Sequence, residues 1–340
     1  MQWALRFQES DGDQCSSGRF RRSTIEHPRF LVERPVPRDP IAQLVTLLRP
    51  TARYSKVIEG AGRWRIEREG QGDPMYIAVL EGSCHLTVDM QPSVALGAGD
   101  LVLVPSMRKL RNCSDEDASD EPPTLPEAIG EDRFRIGEPH LAGDVLLQVG
   151  HCQFEAEDAA ILSPLLPRVL HVRGVPRLAT LVQMLGDEVR STRAARALVI
   201  ERLLELLLIE ALRSTPESTE PIGLAYGLAD ERIGGSLRSI HQRPEQPWRV
   251  AKMAYEASMS RSSFAERVTK IVGLAPMEYL LAWRMAIAKH LLRSQELTLE
   301  QVAQRIGYAS TVTFSTAFVR STGVSIGKYA RRSVAVDLDR

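Results

Sequence analysis

The sequence predicts an α+β chain: an N-terminal β-barrel, a helical middle segment, and an all-α C-terminal domain in which two similar helix pairs are joined by a long helix. Three patterns predict it. Short apolar runs separated by Gly, Pro and Asp fill residues 54–154, as in a small barrel or sandwich. Apolar residues recur at helical spacing over residues 175–212. One pattern of two short helices around a tight turn occurs twice, with Ser260 of the first copy matched by Ser310 of the second.

Taken in order, residues 1–39 read as a weakly structured extension, polar and Gly/Ser/Arg-rich and then interrupted by Pro35 and Pro37. Residues 40–174 form the barrel domain. It opens on a short helix with Ile41, Leu44, Val45 and Leu48 on one side. Strands are expected at residues 76–80, 85–88, 101–104 and 145–149, with turns at Glu81-Gly82-Ser83 and Gly97-Ala98-Gly99-Asp100. Residues 112–143, rich in Asp, Glu and Pro, read as a long acidic loop. Residues 175–222 form a helical dimerisation segment and linker. Residues 199–212 are apolar on more than one face, so they are expected to pack on the barrel, on a second copy, or on both, with Leu204 and Leu207 in the seam. Residues 223–333 form the last domain, which opens on a helix at residues 229–241 with Ile233, Leu237 and Ile240 in one stripe.

Composition narrows the class. The 340 residues carry no net charge, yet residues 245–333 hold 13 Lys/Arg against 6 Asp/Glu. A basic C-terminal part beside an acidic remainder fits a nucleic-acid-binding half next to a non-binding one. No apolar run reaches membrane-spanning length and no signal-peptide core follows the N-terminal charges, so a cytoplasmic chain without membrane contact is expected. The four cysteines, Cys15, Cys84, Cys113 and Cys152, form no CxxC pair and are expected as free thiols. Walker, GxSxG and HExxH motifs are missing, and no catalytic residue or cofactor is assigned.

The repeat carries the functional reading. In the first copy Val250, Met253, Ala254 and Ala257 form an apolar stripe, Ser258-Met259 turns the chain, and Ser260 can cap a helix bearing Phe264, Val268 and Ile271. In the second, Leu299, Val302, Ala303 and Ile306 repeat the stripe, Gly307-Tyr308 turns, and Ser310 can cap a helix bearing Phe314 and Phe318. This is the helix-turn-helix arrangement that drives a helix end into the DNA major groove. Between them Pro276 starts a helix with Leu280, Trp283, Ile287 and Leu291 on one side. Its length of roughly 27 Å suits two reading helices about one DNA turn apart. Ser260 and Ser310, with the helix-end amides, are expected to grip phosphates. Arg261, Arg267, Lys270 and Arg320 add positive charge. Ser262, Ala265 and Glu266 in the first helix, and Thr311, Val312, Ser315 and Thr316 in the second, are the base readers.

The runs Ala257-Ser258-Met259-Ser260-Arg261-Ser262-Ser263-Phe264, Gly273-Leu274-Ala275-Pro276-Met277-Glu278-Tyr279-Leu280, Arg284-Met285-Ala286-Ile287-Ala288, Val302-Ala303-Gln304-Arg305-Ile306-Gly307-Tyr308 and Gly323-Val324-Ser325 resemble the AraC/XylS family of bacterial transcription regulators. The sequence departs from the family pattern at Ser258 (usually Gly), Val268 (usually Phe), Ile326 (usually Pro), and Glu266 and Thr316 (commonly Arg). Val79-Leu80-Glu81-Gly82-Ser83-Cys84, Gly99-Asp100-Leu101-Val102-Leu103-Val104-Pro105, Leu165-Leu166-Pro167, Asp230-Glu231-Arg232-Ile233 and Ile240-His241 are similar to the cupin-like sensor domains of one branch. The resemblance implies a transcription regulator, an activator rather than an enzyme, that binds promoter half-sites in double-stranded DNA as a homodimer, contacts RNA polymerase, and answers a small-molecule or redox effector. Two alternatives stand beside it: a constitutive regulator whose barrel only dimerises, and a metal-dependent cupin enzyme.

The metal alternative lacks its ligands. Tyr76 and Ala78 lie in the region of the usual His-x-His pair, and Lys109 or Leu110 where a later His belongs. His85, His140, His151 and Cys152 remain as ligand types, but His151 and Cys152 are neighbours that point to opposite faces of a strand. Cys84 and Cys113 are the candidate sensor thiols. Arg111 and Lys109 would lower the pKa of Cys113, and Asp115, Glu116 and Asp117 would oppose them.

Overall fold

The computed structural model describes residues 39–70, 74–120, 122–154, 161–189, 191–214 and 222–331. The expected extension up to residue 38, Cys15, and most of the linker lie outside them, as does the side chain of Cys152.

Helix α1 (Pro40–Leu48) starts on proline, and the carboxylate of Asp39 accepts the Ala42 amide at 2.8 Å. Leu44, Val45, Leu47 and Leu48 are buried. The strands β1 (Thr51–Ala61), β2 (Arg65–Glu69), β3 (Met75–Glu81), β4 (Ser83–Val88), β5 (Val94–Gly97), β6 (Leu101–Val104), β7 (Lys109–Cys113), β8 (Glu127–Gly130), β9 (Arg133–Gly137), β10 (Val145–Gln153) and β11 (Leu170–Val172) form two sheets. The larger has the order β11-β6-β3-β10-β1-β9-β8, and the smaller β2-β7-β4-β5. Alternation along each strand sends side chains to two different cores. Ile77, Val79, Val102 and Leu147 pack between the sheets against Cys84, Leu86 and Leu110. Their neighbours Tyr76, Ala78, Leu101 and Leu103 face the helices instead.

The expected acidic loop is corrected by the structure. Within residues 112–143 the chain forms a 3-10 turn, Asp117–Asp120, and the hairpin β8-β9. Strand β9 runs parallel to β1, with Val57 opposite Arg133. Ile136 is buried between the sheets, Arg135 pairs with Glu59 at 3.7 Å, and Lys56 lies 4.6 Å over the Phe134 ring. The polar residues of β9 thus alternate with two that pack, and the acid count of the surrounding segment masks the strand.

The expected helical stretch from residue 175 is two helices, α2 (Pro176–Val189) and α3 (Arg196–Arg213). The polar Ser191-Thr192-Arg193 separates them, and Ala195 begins α3 from a left-handed conformation at φ 61°. Leu203, Leu204, Leu207, Leu208, Ala211 and Leu212 are buried on the barrel side, where α3 packs on α1, β1 and β11. Leu204 and Leu207 are therefore core residues, not an outward seam. A helix where none is expected, α4 (Leu224–Ala229), comes next. The helix expected at residues 229–241 is α5 (Gly234–Gln242), which starts five residues later because Asp230 turns the chain and accepts the amides of Arg232 and Ile233 at 3.0 Å each.

The C-terminal domain follows as α6 (Val250–Glu256), α7 (Arg261–Val272), α8 (Pro276–Ser294), α9 (Leu299–Arg305) and α10 (Thr311–Thr322). Helix α1 packs on α8 as well as α3. At that junction His241 of α5 bonds Gln43 of α1 through Nδ1 at 2.8 Å and Tyr279 of α8 through Nε2, with its ring 4.0 Å from that of Trp283. Among the described residues no single helix is long and apolar enough to cross a membrane.

Candidate nucleic-acid interface

Both helix pairs fold by the same local rules. The Ser260 hydroxyl accepts the Ser263 amide, and the Ser310 hydroxyl accepts the Thr313 amide, each at 3.2 Å. These are N-caps, and they leave other first-turn amides of α7 and α10 directed outward. Thr298 and Gln301 cap α9 reciprocally. Each turn is closed by a matching backbone bond, Met259 to Ala254 in the first and Tyr308 to Ala303 in the second, both 2.9 Å. Ser258 and Gly307 occupy equivalent places with φ 52° and 82°, the left-handed region where glycine fits best. Gly273 and Gly323 end the two second helices in the same conformation. Helix α8 spans about 28 Å and meets α7 at 54°.

Burial repeats as closely as the backbone. Phe264 and Val268 of α7, and Phe314 and Phe318 of α10, point into the core. Ser260, Arg261, Ser262, Glu266 and Lys270 are exposed, with Ala265 half-buried. In the second copy Ser310, Val312, Thr316 and Arg320 are exposed, and Thr311 and Ser315 half-buried. Val312 is 74% exposed, an apolar side chain held out toward solvent without packing reason. Thr269 and Val319, one turn further along, also face outward and escaped the sequence reading.

Arg267 has a partner within the chain: its guanidinium, still partly exposed, grips Asp230 through Nε at 3.1 and 3.2 Å and through Nη2 at 2.6 Å. That bond, with the Ile233 and Arg232 amides, holds the Asp230 carboxyl below its usual pKa against the opposing effect of burial. Arg284 of α8 also escaped notice. It donates to the carbonyls of Pro244 and Gln246 at 2.9 and 2.7 Å and fixes the loop under the second turn.

The expected shift of the thiol pKa is reversed. Cys84 has no exposed surface, and burial pushes its pKa up to about 11 even though Asn112 donates to its sulfur at 3.4 Å. Burial also raises Cys113, outweighing the opposite pull of Arg111 and Arg65. The lowered pKa expected beside the basic residues does not arise, and both side chains are buried. Among the described residues no group of three or more His, Cys, Asp or Glu converges as a metal site.

The larger sheet bears a cavity of about 530 Å³ on its helix-facing side. Val57, Leu80 and Leu146 of the sheet line it together with Arg133 and with Ala179, Val182, Gln183 and Asp187 of α2.

Two helix-turn-helix units on a basic helical domain, beside a barrel whose flanking helices share its core, define a DNA-binding transcription regulator. Residues 39–217 match the family described as Cupin, and residues 253–332 that described as Helix-turn-helix domain. The chain is 31% identical over 303 residues to an AraC-like transcription regulator of Streptomyces antibioticus, covering 86% of this chain and 98% of that one. It belongs to the AraC-like family of transcription regulators. It is also 25% identical over 293 residues to the HTH-type transcriptional regulator AlkR of Acinetobacter baylyi, covering 81% of this chain and 94% of that one. Among solved structures, ToxT from Vibrio cholerae aligns at a TM-score of 0.33 and 11% identity, over 83% of this chain and 96% of that one.

Proposed function

We propose that the chain reads a promoter half-site with α7 and α10 in successive major grooves, as a cytoplasmic homodimer that activates transcription through contact with RNA polymerase. The observation that carries this reading is the matched strip of exposed and half-buried residues after each turn: Ser262, Ala265 and Glu266 on α7, and Val312, Ser315 and Thr316 on α10. Outward amides at each helix start suit phosphate. Arg261, Lys270 and Arg320 supply charge without sequence information. Glu266 is repelled by phosphate but can accept from cytosine N4, and Val312 and Thr311 offer methyl groups to thymine. The half-site then has a cytosine under α7 and a T-rich step under α10, about one turn away.

Binding-site selection tests this. Glu266→Ala is expected to relax preference at one base pair by about 1 kcal/mol and to spare the others. An unchanged logo would remove Glu266 from the readers. Replacing Lys270 or Arg320 is expected to weaken all sites alike and to reduce the salt slope by roughly 1.

The N-terminal domain takes the effector role. Its support is the cavity between the larger sheet and α2, large enough for a small organic molecule and closer to the helices than to the filled space between the sheets. The second copy docks on α3. Leu198 and Leu206 remain 51% and 40% exposed there, two turns apart on the side away from the barrel. Leu198→Asp with Leu206→Asp is expected to give a monomer in sedimentation experiments with the fold intact. A wild-type monomer at high micromolar concentration, or a dimeric double variant, would dismiss this interface.

A further inference from the structure

The two reading helices are exposed alike, but they are not anchored alike. Helix α7 is held on its rear flank by the segment that arrives from the N-terminal domain. The Arg267 fork takes both oxygens of Asp230, and Oδ1 of that carboxylate is already fixed by the amides at the start of α5. Next to it the Gly223 amide donates to the Ile271 carbonyl at 2.8 Å. Gly227 lies so close to Val272 that an added Cβ would come within 2.7 Å of it. In α10 the position of Arg267 is Ala317, and those of Ile271 and Val272 are Ser321 and Thr322. That helix packs on α8 and α9, and among the described residues nothing plays the part of Asp230.

We infer that Asp230 is a positioning residue for DNA reading: through Arg267 it sets the roll of α7 in the groove, so that the first motif alone is aimed by the segment leading from the N-terminal domain. The inference rests on α7 being a reading helix. A two-pronged ion pair fixes orientation as well as distance, because both nitrogens must stay in line with both oxygens. Orientation matters at this radius. A roll of about 20° moves a side-chain tip 5–6 Å from the axis by about 2 Å, well beyond what a base-edge hydrogen bond tolerates. Asp230 itself lies on the flank that α7 turns away from its exposed reading strip, so its influence passes through Arg267.

The test is binding-site selection with salt titration on the full chain, using wild type, D230N, R267Q and the double variant. D230N keeps Oδ1, which accepts the amides that start α5, and replaces Oδ2, the acceptor of the Arg267 Nη2 bond, with a donor that cannot hold the guanidinium. Each single variant is expected to flatten the base preference under α7 by about tenfold, to leave the preference under α10 and the salt slope unchanged, and to match the double variant. If R267Q lowers the salt slope while D230N behaves as wild type, Arg267 is a phosphate contact and the inference is wrong. Equal weakening at both half-site positions, or no change in either single variant, overturns it as well. A wild-type logo without preference under α7 overturns the reading of α7 itself, and the inference with it.

Discussion

His241→Ala is expected to lower stability by about 3 kcal/mol and to let the barrel and the C-terminal helices unfold in separate steps. The imidazole is 2% exposed and joins three helices: Gln43 on α1, its own α5, and Tyr279 on α8. The Gln43 carbonyl can only accept, so Nδ1 donates to it, and Nε2 accepts from the Tyr279 hydroxyl. Removing the ring leaves two buried polar groups without partners, at about 1–3 kcal/mol each, and a void beside Trp283. Calorimetry or probe-resolved urea unfolding checks this, and one unshifted transition would refute it. The pH dependence has a definite sign. Burial lowers the His241 pKa from 6.5 to about 3, so the ring stays neutral in the fold while the unfolded chain takes up a proton below about 6.5. The contribution is complete above that pH and declines as pH falls toward 3, at about 1.4 kcal/mol per unit. His241→Gln should abolish that decline between pH 6.5 and 4, whatever it does at pH 8.

The equivalent turn residues of the two motifs should respond in opposite directions. Gly307→Ala is expected to destabilise the second motif by about 2–4 kcal/mol. A Cβ there would sit 2.4 Å from the Glu245 carbonyl oxygen and 2.6 Å from Arg284, in a backbone already at φ 82°. Neither neighbour can retreat easily, since Arg284 is committed to two carbonyls of the same loop. Ser258 already bears a Cβ at φ 52°, so Ser258→Gly relieves strain and should stabilise by about 0.5–1 kcal/mol. Circular-dichroism melts of the two variants measure both, and DNA binding by the Gly307 variant should lose base preference under α10 first. A Gly307 variant as stable as wild type would show that the loop of residues 244–246 yields.

The C-terminal domain was legible because its determinants are local. Caps, stripes and turns lie within a few residues of one another, as at Ser260 and Ser263 or Thr298 and Gln301. The barrel was legible only in part. Strands β3, β4, β6 and β10 are apolar runs, whereas the central β1 sets Val57 and Ile58 side by side and carries Lys56 and Glu59, which breaks the alternation. Strand β9 was hidden by the acidic residues around it. Arg267 and His241 could not be placed from the sequence, because Asp230 lies 37 positions away and Gln43 lies 198 away. Nothing local marks either partner. The direction of the thiol pKa shift was hidden for a related reason: neighbouring charges are visible in the sequence, but the burial that overrides them is not.

The division between charged and uncharged contact residues on the two reading helices has a kinetic consequence. Helix α7 carries Arg261, Glu266, Arg267 and Lys270, while Arg320 is the lone charged residue of α10. Non-specific attraction to DNA is a counterion effect; with Arg267 tied to Asp230 and Glu266 opposing Arg261 and Lys270, α7 holds no more of it than α10 does through Arg320. On the proposed reading, a molecule scanning a chromosome rides on both motifs, through Arg261 and Lys270 and through Arg320, while the methyl groups and hydroxyls of α10 gain nothing from a wrong sequence. Raising the salt shortens the ride and leaves the selectivity of the second helix as it was. Time spent on wrong sites and discrimination against them are thus set by different parts of one chain, and each can change while the other is kept.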